Sequence, residues 1–233
     1  MPLVVRTPVV WVAAFMRRLF SNLFRFFAAA VLLGLGHGEV RSWAAETRVG
    51  PPFELTGRPV LGVNTAAVLV VEISNFKCAQ CRTFHEQVFP TLRKDYIETG
   101  KIQWVVVNAS DDESEQYGKI FPIARCAQRQ GKYWELLDGL FSVAHRAPSV
   151  LEALVAKSPL LDRSELKICL QDRGVRSAVT KDFELAARLK IRGTPTFVIS
   201  KWSADGKRTE ATIAGAQPLA YFQRAFDDLL KKP

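Results

Sequence analysis

Ala67-Val68-Leu69-Val70-Val71-Glu72-Ile73, followed after four residues by Cys78-Ala79-Gln80-Cys81, is the stretch on which the fold turns. The first run is apolar and rich in branched residues, the composition of a strand covered on both faces. The periodicity changes at the cysteine motif. Phe84, Val88, Leu92 and Tyr96 recur every four residues between Cys78 and about Glu98, the spacing of one helical face, with Pro90 expected to bend that helix. Lys101 to Val107 is a second apolar strand, so the segment reads as a β-α-β unit with two thiols at the carboxyl end of its first strand. Thiols three apart at a strand-to-helix junction can form and break a disulfide without large backbone motion, which makes redox chemistry the first functional reading.

Upstream, Glu46 to Gly62 reads as an extended or loop lead-in, because Pro51-Pro52 and Arg58-Pro59 oppose an early helix. Downstream, about 117–190 reads as helical throughout. Tyr133, Trp134, Leu137, Leu140 and Phe141 form one apolar face, Val150 to Ala156 and Leu161 to Leu170 give two short helices, and Ala178 to Leu189 a longer one. Asp162 is available to accept from the amides of a first turn. After Gly193-Thr194-Pro195 come a strand at Thr196 to Ser200, a hairpin around Asp205-Gly206, a return strand at Thr212-Ile213-Ala214 and a closing helix from Leu219 to Leu230. The pattern is α/β: a β-α-β unit, a helical insertion and a β-β-α unit.

The first 45 of the 233 residues read as an export segment. Arg6, Arg17, Arg18 and Arg25 precede or flank an apolar run from Phe26 to Gly36, and Ser42-Trp43-Ala44 places small residues where a signal peptidase reads. The run is about half the length that a spanning helix needs. Arg17-Arg18-Leu19-Phe20 resembles a twin-arginine signal, with Met16 in place of the usual preceding polar residue, and an inner-membrane tether built from Leu19 to Leu35 is the alternative. Without this segment the net charge of +9 falls to +5, from 27 Lys and Arg against 22 Asp and Glu. These charges are scattered, which argues against a nucleic-acid groove. Residues 46–233 suffice for a single domain with a sizeable core. All four cysteines lie in that part, and an exported chain permits disulfides.

Cys78, at the start of the helix, is the natural attacking thiol, and Cys81, one turn on and less accessible, the resolving thiol. Glu72 has two readings: an acid near the end of a half-exposed strand, or a partly buried carboxylate near Cys81 that takes its proton, its pKa raised by desolvation. Lys77 either favours the Cys78 thiolate or is a solvated flanking charge. His85, four residues after Cys81, is expected to be an ordinary, partly exposed histidine, with redox tuning and a zinc site as lesser readings. A structural zinc site would lack its fourth ligand, since no second Cys or His pair lies nearby. Thr194-Pro195 is either a cis-proline element that presents backbone to a bound extended peptide or a plain turn before a strand. Cys126 and Cys169, 43 residues apart, form a structural disulfide or lie as buried thiols. The C-x-x-C spacing favours the pairing 78–81 with 126–169.

The stretches Val70-Val71-Glu72-Ile73-Ser74-Asn75-Phe76-Lys77-Cys78-Ala79-Gln80-Cys81, Cys126-Ala127-Gln128-Arg129-Gln130-Gly131-Lys132-Tyr133-Trp134-Glu135, Ile191-Arg192-Gly193-Thr194-Pro195-Thr196-Phe197 and Gly215-Ala216-Gln217-Pro218, taken in this order, resemble the DsbA-like thiol:disulfide oxidoreductases, in the branch with a second cysteine pair. The resemblance spans about 56–231. It implies a thioredoxin fold carrying a helical insertion, and a periplasmic enzyme that passes its active-site disulfide to exported proteins with free thiols. By the same resemblance Cys78 is the nucleophile and Cys81 resolves, while Glu72 is the buried acid beneath them. Pro195 is then cis behind Thr194, and Cys126–Cys169 is the structural pair. A membrane redox partner is implied, and neither metal nor organic cofactor is required. Strong oxidases of the family carry Pro-His between the cysteines where this chain has Ala79-Gln80. Glutamine cannot supply imidazolium charge, so the expected oxidant is milder than the family archetype.

The same dithiol run in reverse would make a reductase or isomerase. Isomerases of the oxidising compartment often dimerise through an extra N-terminal domain. Only about 20 residues separate the expected cleavage point from the first core strand, which favours a monomer. The rival of another class is a redox-inert binding or chaperone module with structural disulfides.

Overall fold

The computed structural model describes residues 55–110, 115–203 and 207–231, so the expected export segment and the turn at Asp205-Gly206 lie outside it. Five strands form one sheet: β1 (Val60–Leu61), β2 (Val68–Ser74), β3 (Ile102–Asn108), β4 (Thr196–Trp202) and β5 (Arg208–Ala214), in the order β1-β3-β2-β4-β5. β2 is central, parallel to β3 and antiparallel to β4, and β5 extends β4 as an antiparallel edge. β1 lies within the lead-in read as extended or loop. It pairs antiparallel with β3 at Val105 and Trp104 for two residues, too few to leave any periodicity. Gly62 ends it at φ +89, where an added Cβ would lie 2.7 Å from the Ile102 carbonyl oxygen.

Alternation along β2 divides the core. Val68 and Val70 face a cluster with Trp104, Phe84, Phe197, Phe222 and Phe226, whereas Leu69, Val71 and Ile73 pack with Val105, Val107, Val198, Leu185 and Ala186. Glu72 thus falls on the aromatic side.

Helix α1 (Ala79–Gln87) follows β2 and gives way to α2 (Phe89–Leu92) and a π-helical turn at Arg93–Ile97. Pro90 sits in the first turn of α2, where a missing N–H costs nothing, so the expected bend is a break between two helices. The insertion is five helices: α3 (Glu115–Arg129), α4 (Tyr133–Val143), α5 (Pro148–Lys157), α6 (Arg163–Gln171) and α7 (Arg173–Arg188). Asp162 caps α6 by accepting from the Glu165 amide at 2.8 Å, and Asp172 caps α7 from Gly174 at 2.7 Å, which starts that helix earlier than its apolar spacing indicates. A Cys126–Cys169 disulfide joins α3 to α6. α8 (Leu219–Lys231) closes the chain with Phe222, Ala225, Phe226 and Leu229 buried. Among the described residues no helix is long and apolar enough to cross a membrane.

Candidate active site

The helix start is built around Cys78. The Asn75 side chain accepts from the Lys77 amide at 2.8 Å and its carbonyl from the Cys78 amide at 3.0 Å, a local turn that ends β2 and aims the chain into α1. Cys78 is the N-cap residue: its Sγ accepts from the Cys81 amide at 3.3 Å. It also donates to the Thr194 carbonyl oxygen at 3.1 Å, across 116 positions of sequence. Cys78 is half-buried and Cys81 fully buried, both as free thiols, while Ala79 and Gln80 are exposed.

Three segments therefore meet at the dithiol. The Thr194–Pro195 bond is cis. The Pro195 carbonyl accepts from the Gly215 amide at 2.8 Å, tying the turn before β4 to the loop after β5. Gly215, at φ +78, lies against Gln80, whose Oε1 would be 3.5 Å from an added Cβ. Beside Thr194 is a cleft of about 330 Å³ lined by Asn75, Ser110, Phe183, Ile191 and Arg192 among others.

The two sulfurs are driven in opposite directions. A hydrogen bond from the Cys81 side chain, opposed by burial and reinforced by the Thr194 side chain and the amides of Cys81 and Gln80, holds the Cys78 thiol down at about 5. Burial, the bond to Cys78 and the Glu72 charge push Cys81 far above the ordinary thiol range. Imidazolium between the cysteines is not needed for this asymmetry. The start of α1 supplies amides where a His side chain is lacking.

Glu72 is not at a half-exposed strand end; it is fully buried. His85 Nε2 lies 2.8 Å from its Oε1, and Trp104 Nε1 donates to its Oε2 at 3.0 Å. Burial raises its pKa, but the charge and bond of His85 and the bond from Trp104 outweigh that. The net direction is downward, which corrects the desolvation-raised acid expected from the sequence. His85 also departs from expectation. It is 4% exposed, its ring centroid 4.8 Å from Phe89 and 5.0 Å from Phe141. The signal was present, since Cys81, Phe84, His85 and Val88 make a single buried stripe on consecutive turns. Lys77 is half-buried.

A family model described as Thioredoxin matches residues 54–216. The chain is 28% identical over 156 residues to the probable disulfide bond formation protein D of Bacillus anthracis, covering 64% of this chain and 72% of that protein. It is also 28% identical over 158 residues to disulfide bond formation protein D of Bacillus subtilis, covering 63% and 69%. Among solved structures it shares the fold of oxidised BdbD from Bacillus subtilis, with a TM-score of 0.64 and 24% identity, covering 78% of this chain and 97% of that one. It likewise shares that of alpha-DsbA1 from Wolbachia pipientis, with a TM-score of 0.63 and 24% identity over 76% and 92%. With its dithiol capping α1 and a second cysteine pair in the insertion, the chain belongs to the thioredoxin family.

Proposed function

We propose that the protein is a periplasmic thiol:disulfide oxidoreductase that donates a Cys78–Cys81 disulfide to cysteines of exported proteins. The observation that carries this reading is the asymmetry of the two thiols, Cys78 lowered to about 5 and half-buried, Cys81 raised and buried. A thiolate stabilised in the reduced state makes the disulfide a good electron acceptor.

In the reaction, a substrate thiolate attacks Cys78 Sγ of the oxidised protein. The Cys78–Cys81 bond breaks, its electron pair goes to Cys81, and Cys81 takes a proton. A second substrate thiolate then attacks the substrate sulfur of the mixed disulfide, forming the product disulfide and releasing Cys78 as thiolate. The enzyme has gained two electrons, and a membrane redox partner removes them. In that return step Cys81 must lose its proton beside the Glu72 charge, which opposes the thiolate. Thr194 and Pro195 offer backbone to an extended substrate segment, and the exposed Ala79 and Gln80 leave the approach to Cys78 open.

Gln80 supplies no imidazolium charge to the Cys78 thiolate, which supports a milder oxidant. Replacing Cys81 with alanine should trap mixed disulfides through Cys78 in an oxidising extract, and their absence would sink the proposal. Equilibration with glutathione is expected to place the potential between about −120 and about −270 mV. A value near the oxidising limit would remove the role given to Gln80.

A further inference from the structure

His85 is used by none of the steps above, yet it is the side chain most directly bound to the buried acid. We propose that His85 is a positioning residue of the same reaction: the Glu72–His85 pair sets the charge beneath Cys81, and with it how readily Cys81 gives up its proton to resolve a mixed disulfide. The inference rests on the proposed exchange at Cys78 and Cys81.

The geometry isolates the pair. From α1, Cys81 and His85 project from one helical face, four residues apart. From β2 come Glu72 and Ser74, from β3 the Trp104 indole, and from α4 Tyr133, whose buried hydroxyl has no hydrogen-bond partner among the described residues and feels the Glu72 charge. Arg125 and Asp182 also act on Tyr133, with smaller and opposite effects. Trp104 occupies Glu72 Oε2 and carries no charge in either state. His85 Nδ1 is buried and has no partner among the described residues, whereas Nε2 shares a proton with Glu72 Oε1 at 2.8 Å. A neutral imidazole donating from Nε2 leaves the pair with one negative charge, which opposes a Cys81 thiolate. An imidazolium leaves the pair neutral, and the opposition lifts. Both side chains are buried, so little solvent screens the difference.

His85→Gln separates this role from packing, because the amide can still donate to Glu72 Oε1 but cannot take a charge. The readout is the rate at which the full chain resolves a glutathione mixed disulfide at Cys78, as a function of pH. The wild type is expected to show a step that H85Q lacks. Below that step H85Q should resolve about tenfold more slowly, the effect of one unit in Cys81 acidity. An H85Q profile that keeps both the step and the rate overturns the inference. Should H85Q not fold, nitrogen NMR of the imidazole in the wild type decides. Titration of His85 at the pH of the step supports the role, and an imidazole unchanged through it overturns the role. A wild type that never exchanges with glutathione overturns the redox reading itself, and this inference with it.

Discussion

Cys78 Sγ accepts from the amide of Cys81 at 3.3 Å, so the reactive atom of the dithiol is also the cap of α1. Capping by a thiolate is stronger than capping by a thiol, since the acceptor is charged. The reduced protein's stability therefore depends on pH. Cys78 is depressed from 9.0 to about 5, so between those values the unfolded chain holds a proton that the folded protein does not. Its contribution is complete above the unfolded value and is lost as pH falls through about 5. Cys81, raised by burial, is protonated in both states up to about pH 8 and adds no slope there; nearer its unfolded value of 9.0 it offsets the gain from Cys78. The oxidised protein has neither thiol. The stability of reduced over oxidised protein should rise from about pH 5 to about pH 8 in paired denaturation curves and then level off; a constant gap would contradict a capping thiolate.

Glu72 is tolerated in an aromatic core because donors reach both its oxygens. Trp104→Phe keeps most of the packing against Phe84, Phe89 and Phe197 and removes one donor. The variant should lose about 1–3 kcal/mol in chemical denaturation, the cost of a buried acceptor left unmatched, beyond any change in packing. Glu72 should also become harder to ionise, with burial less opposed. A W104F protein as stable as wild type would show that the indole bond contributes nothing net.

Both sheet-forming halves were legible in the chain because their signals are local. A continuous apolar run beside a period of four is visible within ten residues, as at Val68–Ser74 and α1. The dithiol and the turn at Thr194-Pro195 were legible for the same reason. What the chain did not disclose was who faces whom. The spacing of Cys81 and His85 says that they share a face, but the acid opposite them comes from β2 and the indole from β3. Alternation could not say which side Glu72 takes until the two core clusters were distinguished by their partners. Arg58, Arg125 and Asp182 come from three distant segments and carry no common motif.

That last group anchors the insertion to the sheet. Asp182 on α7 accepts from Arg58 Nε at 2.8 Å, from the Asn108 amide at the end of β3 at 3.3 Å, and from Arg125 on α3. Arg125 also donates to the Gly57 carbonyl at 2.6 Å. Burial pushes the Asp182 carboxyl up, against the pull of Arg125 and Arg58. Arg125→Met removes one countercharge from a buried carboxylate and should cost about 3–5 kcal/mol by urea denaturation. Arg125→Lys should cost less, because it keeps the charge while losing the planar fork that serves two acceptors at once. Equal losses in the two variants would assign the effect to packing.

The Cys126–Cys169 disulfide closes a loop of 43 residues between α3 and α6. In the chain-entropy model such a closure stabilises by about 4 kcal/mol, because it removes unfolded conformations. Replacing both cysteines with alanine should lower the melting temperature by roughly 8–16 °C for a domain of this size. Cys126 is wholly buried and Cys169 nearly so, so the alanine pair also leaves a small void, which adds to the loss. Single replacement is the harsher test, since it leaves a free thiol able to compete with Cys78 and Cys81 for pairing. The double variant is expected to keep mixed-disulfide formation at Cys78 below its new melting point. Loss of that exchange in a folded double variant would give the second pair a part in the redox reaction.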